Sequence, residues 1–435
     1  MNFRYQTKEM NRIWKEENRF RYFLKVEKAV AETQAELGII PREAYQYIKK
    51  ANYKLKEIEE LEKITGHDVL AFVQSLEKSI PKYSEYIHFG LTSYDIVDTA
   101  LALRCQSACE VIITALSDLR KTIKDLALKY KQTPMIGRTH GMHAEPITFG
   151  LKCLSWYTEI GRAEKRMEAV KEENSFGKIS GVVGSFSQLP PSVEERTLKK
   201  LGLKPEPVST QVLPRDRLAH LISVIAIISA SLERIATEIR NLQRSEIGEV
   251  QEPFFAGQKG SSAMPHKKNP ILCERVCALS RIIRSQIVPA LENIPLWHER
   301  DLTNSAAERI ILPLVFNLLH YSINTLNRIL KNLLVFPEKM KANLKLAKGQ
   351  FFSQSLLLAL IKKGIKRSKA YDIVQRLSFQ TQETGAELKT LAKQDEEVKS
   401  CLKESEIKEI FSLKRLLRNI DLIFDRVLKR EGKND

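Results

Sequence analysis

The sequence predicts an all-α protein of three helical domains, in which a central bundle of long helices (residues 94–343) separates two sets of shorter ones (1–93 and 344–435). Apolar residues recur at 3-and-4 spacing along nearly the whole chain, several of these stretches run for many turns, and strand-like alternation is hard to find. The 435 residues also exceed what one hydrophobic core usually organises. A hydrophobic fraction of 43% beside 28% charged residues is that of a soluble globular protein.

Residues 1–93 read as short helices broken at Gly38-Ile-Ile-Pro41, Gly66 and Pro81. A long helix is expected over about 98–131, its buried stripe marked by Leu101, Ala108, Val111, Ile112, Ala115, Leu119, Ile123 and Leu126. A second is expected over about 146–173. Residues 174–214 hold four Gly and five Pro and read as irregular connection. From Leu218 the spacing returns through Leu221, Ile222, Ile225, Ile228, Leu232, Ile235, Ile239 and Leu242. Val224 and Ile227 occupy another face of that helix, which places it at the centre of the bundle. A fourth long helix is expected over 304–334, kinked at Pro313. After Phe336-Pro337 short amphipathic helices return.

Several function classes drop out. The longest apolar stretch, around 221–230, falls short of the about 20 residues of a membrane span. The N-terminus carries acidic residues early and no apolar run, so no signal peptide is expected and a cytoplasmic location is. Cys105 and Cys109, like Cys273 and Cys277, are four apart, which matches no CxxC ligand or redox spacing; buried free thiols are expected. The net charge of +17 comes from 70 basic residues interleaved with 53 acidic ones, without a long run of one sign. Neither a nucleic-acid nor a membrane partner is therefore expected, and the excess suits steering of a small polyanion.

Three polar clusters punctuate the long helices: 87–95 (IHFGLTSYD), 137–146 (GRTHGMHAEP) and 260–270 (GSSAMPHKKNP). The first two also read as ordinary helix connections. In the third, Gly257 and Gly260 permit backbone freedom, Pro265 and Pro270 stop helix formation, and the segment between carries hydroxyls, cations and an amide. A solvated basic hairpin would account for the lysines but not for Gly-Ser-Ser or Met-Pro. These are the parts of a catalytic lid.

GSSAMPHKKNP resembles the GSSxMPxKxN signature of the fumarase/aspartase superfamily. Within it, His67-Asp-Val69, HFGLTSYDIVDTAL from His88, GRTHGMHAEP from Gly137 and PLWHERDLTNSAAERIILP from Pro295 resemble the adenylosuccinate lyase family, together with Arg4-Tyr5 at the start. Fumarases and argininosuccinate lyases typically carry another residue after the signature Pro; muconate cycloisomerases can share Pro-His-Lys but lack Thr139-His140.

That resemblance implies a fumarase/aspartase-like fold whose central bundle forms a homotetramer. It implies elimination of fumarate from succinylated nucleotides, with no metal or organic cofactor. It further implies Ser261 as general base, His140 as general acid oriented by Glu274, and Lys267 with Asn269 at the doubly anionic intermediate. Ser261 holding a substrate carboxylate, and Glu274 serving structure alone, are the open alternatives. Substrate contacts are implied for Arg4, Tyr5, His67, Asp68, His88, Thr92, Ser93, Thr139, Gln211, Ser262, Met264, Arg300, Ser305 and Arg309, with His88 near the phosphate.

Gly66, Tyr94 and Ala306 depart from the usual residues, which bears on contacts and not on the reacting groups. His220 and His320 read as core or interface groups, and His143, His266 and His298 receive no role. A helix over 98–131 would span about 50 Å, so the Thr92-Ser93 and His140 clusters of one chain would serve different sites, shared between subunits. Another fumarate-releasing lyase, a nucleic-acid binder and a catalytically silent relative are the rival readings.

Overall fold

The computed structural model describes residues 3–255, 257–259 and 261–431. Gly260, invoked above for backbone freedom, lies outside them. In chain order, α1 (Lys8–Trp14), α2 (Glu16–Glu36), α3 (Arg42–Ile48), α4 (Leu55–Thr65) and α5 (Asp68–Lys78) precede the long α6 (Ser93–Lys129). Strands β1 (Pro134–Thr139) and β2 (Met142–Thr148) form an antiparallel hairpin before α7 (Phe149–Glu173) and α8 (Pro191–Leu201). Then come α9 (Asp216–Leu242), α10 (Ile271–Ser285), α11 (Ile287–Glu292), α12 (Thr303–Lys331) and α13 (Pro337–Leu346), and shorter helices follow to Glu431. The all-α expectation holds, with two-residue bridges beside the hairpin.

The chain divides into two compact units. One comprises Met1–Asp118, Gly161–Glu233 and Val276–Thr325; the other comprises Leu119–Ile160, Arg234–Arg275 and Leu326–Asp435. In the first unit Phe20 stacks on Phe72 at 5.6 Å, with Phe23 edge-on to the same ring at 5.7 Å. Ile58, Ile96 and Leu198 close this core. In the second unit Phe149 meets Tyr130 and Trp156 edge-on, and Leu356, Leu360, Leu377 and Leu388 fill a separate cluster.

The differences from expectation have local causes. Helix α6 starts at Ser93 rather than near 98 because Thr92 and Asp95 cap it reciprocally. The Thr92 carbonyl accepts the Asp95 N–H at 2.9 Å, and the Asp95 carboxylate accepts the Thr92 N–H at 2.9 Å. The 137–146 cluster is a hairpin and no loose connection. Its two-residue turn, His140-Gly141, has φ of 54° and 78°, the left-handed pair that matches the twist of paired strands. Residues 174–214 contain α8, since Pro191 at the first helical position starts a helix instead of ending one.

Helix α9 is long and apolar enough to cross a membrane, at a mean hydropathy of 1.7, which the shorter apolar stretch did not suggest. Its apolar side chains Leu221, Ile225, Ile228, Leu232, Ile235 and Ile239 are buried, as in a core helix, whereas Ile227, expected on a second buried face, is 49% exposed because that face of the helix is not covered by this chain's described residues. Five cysteines are buried free thiols and Cys401 is half-buried. Burial pushes the Cys105 thiol up to about 12.

Candidate active site

In the first unit, the residues singled out above assemble in linked pairs. His67 caps α5: its Nδ1 accepts the Leu70 N–H at 3.3 Å, so in the neutral ring the proton sits on Nε2, 3.5 Å from the Ser93 hydroxyl. Gly66 ends α4 in the left-handed region (φ 63°), a conformation glycine adopts freely. The Asp68 carboxylate accepts from Arg19 at 2.7 Å and from Arg309 at 2.6 Å, fixing one edge of each guanidinium. Burial pushes the Asp68 carboxyl up, but the two arginines more than offset this and hold it below the usual range.

His88 has φ of 57° and places Nδ1 2.6 Å from the buried Glu27 carboxylate. Burial disfavours its charge; Glu27 outweighs this and raises the imidazole above its usual value. A cation there suits a phosphate. Because the folded value is the higher one, the pair's contribution to stability is complete below the unfolded value of about 6.5 and is lost as pH rises through the folded value. Thermal unfolding of the wild type and His88→Gln across about pH 6 to 9 should therefore show a gap that narrows toward alkaline pH.

Tyr94 acquires a visible task. The Arg300 guanidinium lies 3.7 Å from the centre of its ring and donates to Gln211 Oε1 at 2.8 Å. A cavity of about 120 Å³ is lined by Arg19, Tyr94, Arg104, Ser305, Glu308 and Arg309. Tyr5 meets Tyr321 edge-on at 5.4 Å, beside the Phe3–Tyr5 turn that carries Arg4.

Beneath these groups Arg215 uses all five of its donors. It grips Asp98 through two nitrogens at 2.7 and 2.9 Å and Glu308 at 2.8 and 3.2 Å, and donates to the Leu213 carbonyl at 2.8 Å. Burial alone would lower the guanidinium, but the two carboxylates hold it above its usual value. Burial raises the Glu308 carboxyl despite Arg215. The network joins the segment bearing Gln211 to the helix bearing Ser305 and Arg309.

The second unit holds the other groups. An open basin of about 1030 Å³ is lined by Arg240, Arg244, Lys267, Lys268, Asn269 and Glu274, with Met264 also on its wall. Ser261 Oγ, in the loop leading into the basin, accepts the N–H groups of Ala263 at 3.3 Å and Met264 at 3.1 Å. These local bonds fix the direction of the hydroxyl oxygen. Ser262 is exposed beside it.

Thr139 and His140 stand exposed at the hairpin tip. Two residues earlier, Arg138 makes a bidentate pair with the buried Glu249 at 2.9 and 3.0 Å, and Asn343 adds a third bond to that carboxylate at 2.8 Å. Among the described residues, no hydrogen bond joins His140 to Glu274, Ser261 or Lys267 of its own chain.

His320 is buried and bonded to Thr7 at 2.8 Å, as a core histidine. His220 departs from that expectation: it is exposed and paired with Glu173 at 2.6 Å, because its helix position faces outward. Among the described residues, no group of three or more His, Cys, Asp or Glu side chains is arranged to hold a metal ion. Sequence reasoning missed Arg138, Glu249, Arg215 and Asp98 as supports. No local pattern in the sequence marked them, because each support is made by a partner distant along the chain.

The family described as Lyase matches residues 1–284, and that described as Adenylosuccinate lyase C-terminus matches 349–427. A relative named adenylosuccinate lyase from Thermotoga maritima is 47% identical over 427 residues, and another of that name from Aquifex aeolicus is 46% identical over 432. Each alignment covers 98% of this chain and 99% of the relative. The crystal structure of a fumarate lyase from Mesorhizobium sp. BNC1 is similar at a TM-score of 0.90 and 26% identity, covering 98% of both chains.

Proposed function

The chain belongs to the adenylosuccinate lyase family of the fumarase/aspartase superfamily, and on that footing we propose how it performs the elimination. The protein is a carbon–nitrogen lyase that releases fumarate from adenylosuccinate, leaving AMP, and from succinylaminoimidazole carboxamide ribotide, leaving the aminoimidazole carboxamide ribotide. These are steps of purine biosynthesis, and the enzyme works in the cytoplasm.

Ser261 takes the proton from the carbon next to the distal carboxylate, and the electron pair moves into that carboxylate. Lys267 and Asn269 stabilise the dianion, each donor being worth roughly a hundredfold or more in rate. The pair then forms the carbon–carbon double bond as the carbon–nitrogen bond breaks, and His140, oriented by Glu274, protonates the departing nitrogen. Thr92, Ser93 and Thr139 hold the succinyl carboxylates with Ser262 and Met264. Arg4, Tyr5, His88, Arg300, Ser305 and Arg309 hold the nucleotide, with His67 and Gln211 alongside and Asp68 orienting Arg309. The observation that supports this most is the Ser261 hydroxyl held by two amides in the loop entering a basin lined by Lys267 and Asn269.

The active enzyme is a homotetramer of three-domain subunits (1–93, 94–343 and 344–435) that share their sites. Helix α6 has 37 residues and so measures about 55 Å. A single helix of that length runs between the Thr92-Ser93 cluster and the hairpin segment, which supports sites that draw on more than one chain. Partner subunits supply what one chain cannot. Purified protein offered adenylosuccinate, argininosuccinate or malate should release fumarate from the first alone. Release from another substrate instead would assign it to a different branch of the superfamily.

A further inference from the structure

We propose that Gln243 is a positioning residue that sets the span of the signature loop, a role that rests on the catalytic reading of that loop. Gln243 directly follows α9, and its N–H bonds the Ile239 carbonyl at 3.0 Å, so a long helix fixes it. Both ends of its carboxamide are used. Oε1 accepts the backbone N–H of Glu252 at 2.8 Å, and Nε2 donates to the backbone carbonyl of Lys268 at 2.9 Å.

Residues 252 and 268 are the two feet of the loop that carries Ser261, Ser262, Met264 and Lys267. The first foot is tied a second time. The Glu252 carboxylate, 3% exposed, accepts the N–H groups of Leu272 at 3.0 Å and Cys273 at 2.8 Å in the first turn of α10, the helix that bears Glu274.

A carboxamide suits this place because it offers an acceptor and a donor side by side, and here one meets an N–H and the other a C=O. Lys267 and Asn269 flank the pinned carbonyl, so the direction in which they enter the basin follows from where Gln243 holds residue 268. Gln243 is only half-buried, so its bonds anchor backbone rather than fill a core. Releasing one foot lets the loop groups shift by about an ångström, a displacement that costs rate more than binding.

Gln243→Met removes both bonds at nearly constant volume. Gln243→Glu keeps the acceptor and offers the Lys268 carbonyl a donor only while its carboxyl is protonated. Gln243→Met should lower kcat about tenfold to a hundredfold while AMP affinity and Tm stay at wild-type values, and trypsin should cut faster at Lys259 and Lys267. For Gln243→Glu, the ratio of variant to wild-type kcat should rise as pH falls. Unchanged kcat with unchanged loop cleavage overturns the proposal. So does a loss of kcat matched by equal losses of Tm and AMP affinity, which marks structural support alone. Wild-type protein that fails to release fumarate sinks the catalytic reading instead, and loop cleavage, read without turnover, then still decides whether Gln243 pins the feet.

Discussion

His140→Gln should lower kcat by about a hundred- to ten-thousand-fold and leave Tm where it is. Both halves of that outcome follow from the hairpin. The side chain is exposed at the tip and, among the described residues, has no hydrogen-bond partner in its own chain, so the fold loses no contact when it is replaced. The proton that must reach the departing nitrogen loses its donor. Ser261→Ala should be as severe in kcat, since it removes the hydroxyl that the Ala263 and Met264 amides hold.

Mixing the two inactive proteins should restore about a quarter of wild-type activity, the share of sites that draw both intact residues from different chains at random assortment. Activity that stays at the level of the separate variants, with subunit exchange verified, would count against sites assembled across chains.

Arg215→Met should cost about 3–5 kcal/mol of unfolding free energy, measured by urea denaturation at fixed protein concentration. Nothing else in the network can replace the guanidinium. Asp98 is 1% exposed and Glu308 8%, and without Arg215 two carboxylates face each other out of water. Arg215→Lys should recover part of the loss, because it keeps the charge but not the fork that spans both acids. A double variant, Arg215→Met with Glu308→Gln, should be more stable than Arg215→Met alone, since it removes one uncompensated charge. Equal stability of the two would mean that Glu308 is neutral once Arg215 is gone, as expected of a buried carboxyl that has lost its cation.

The long helices were legible because burial writes itself into sequence at helical spacing, but the second apolar face read for α9 is only partly covered, since Val224 is buried and Ile227 is exposed. Features made by distant partners were not legible. Arg215 and Asp98 are 117 residues apart, and no local pattern links them. The hairpin was hidden for a different reason. Its strands, PMIGRT and MHAEPIT, are short and carry no clean alternation, so the turn alone announces it, and His-Gly is a weaker announcement than Asn-Gly. Helix α8 was masked by Pro190-Pro191, where a residue that usually breaks helices begins one. For the site, the residue types and motifs could be read from the sequence, but their supports could not. The Tyr94 platform under Arg300, the Asp68 clasp on Arg309 and the Gln243 staple exist only once the chain is folded.

The distribution of thiols has a practical consequence. With five of six cysteines sealed in the interior and Cys105 driven far from the thiolate at neutral pH, a maleimide dye should attach once per chain, at Cys401. Two batches of this protein, painted in different colours without changing a single codon, could report by energy transfer whether chains trade places.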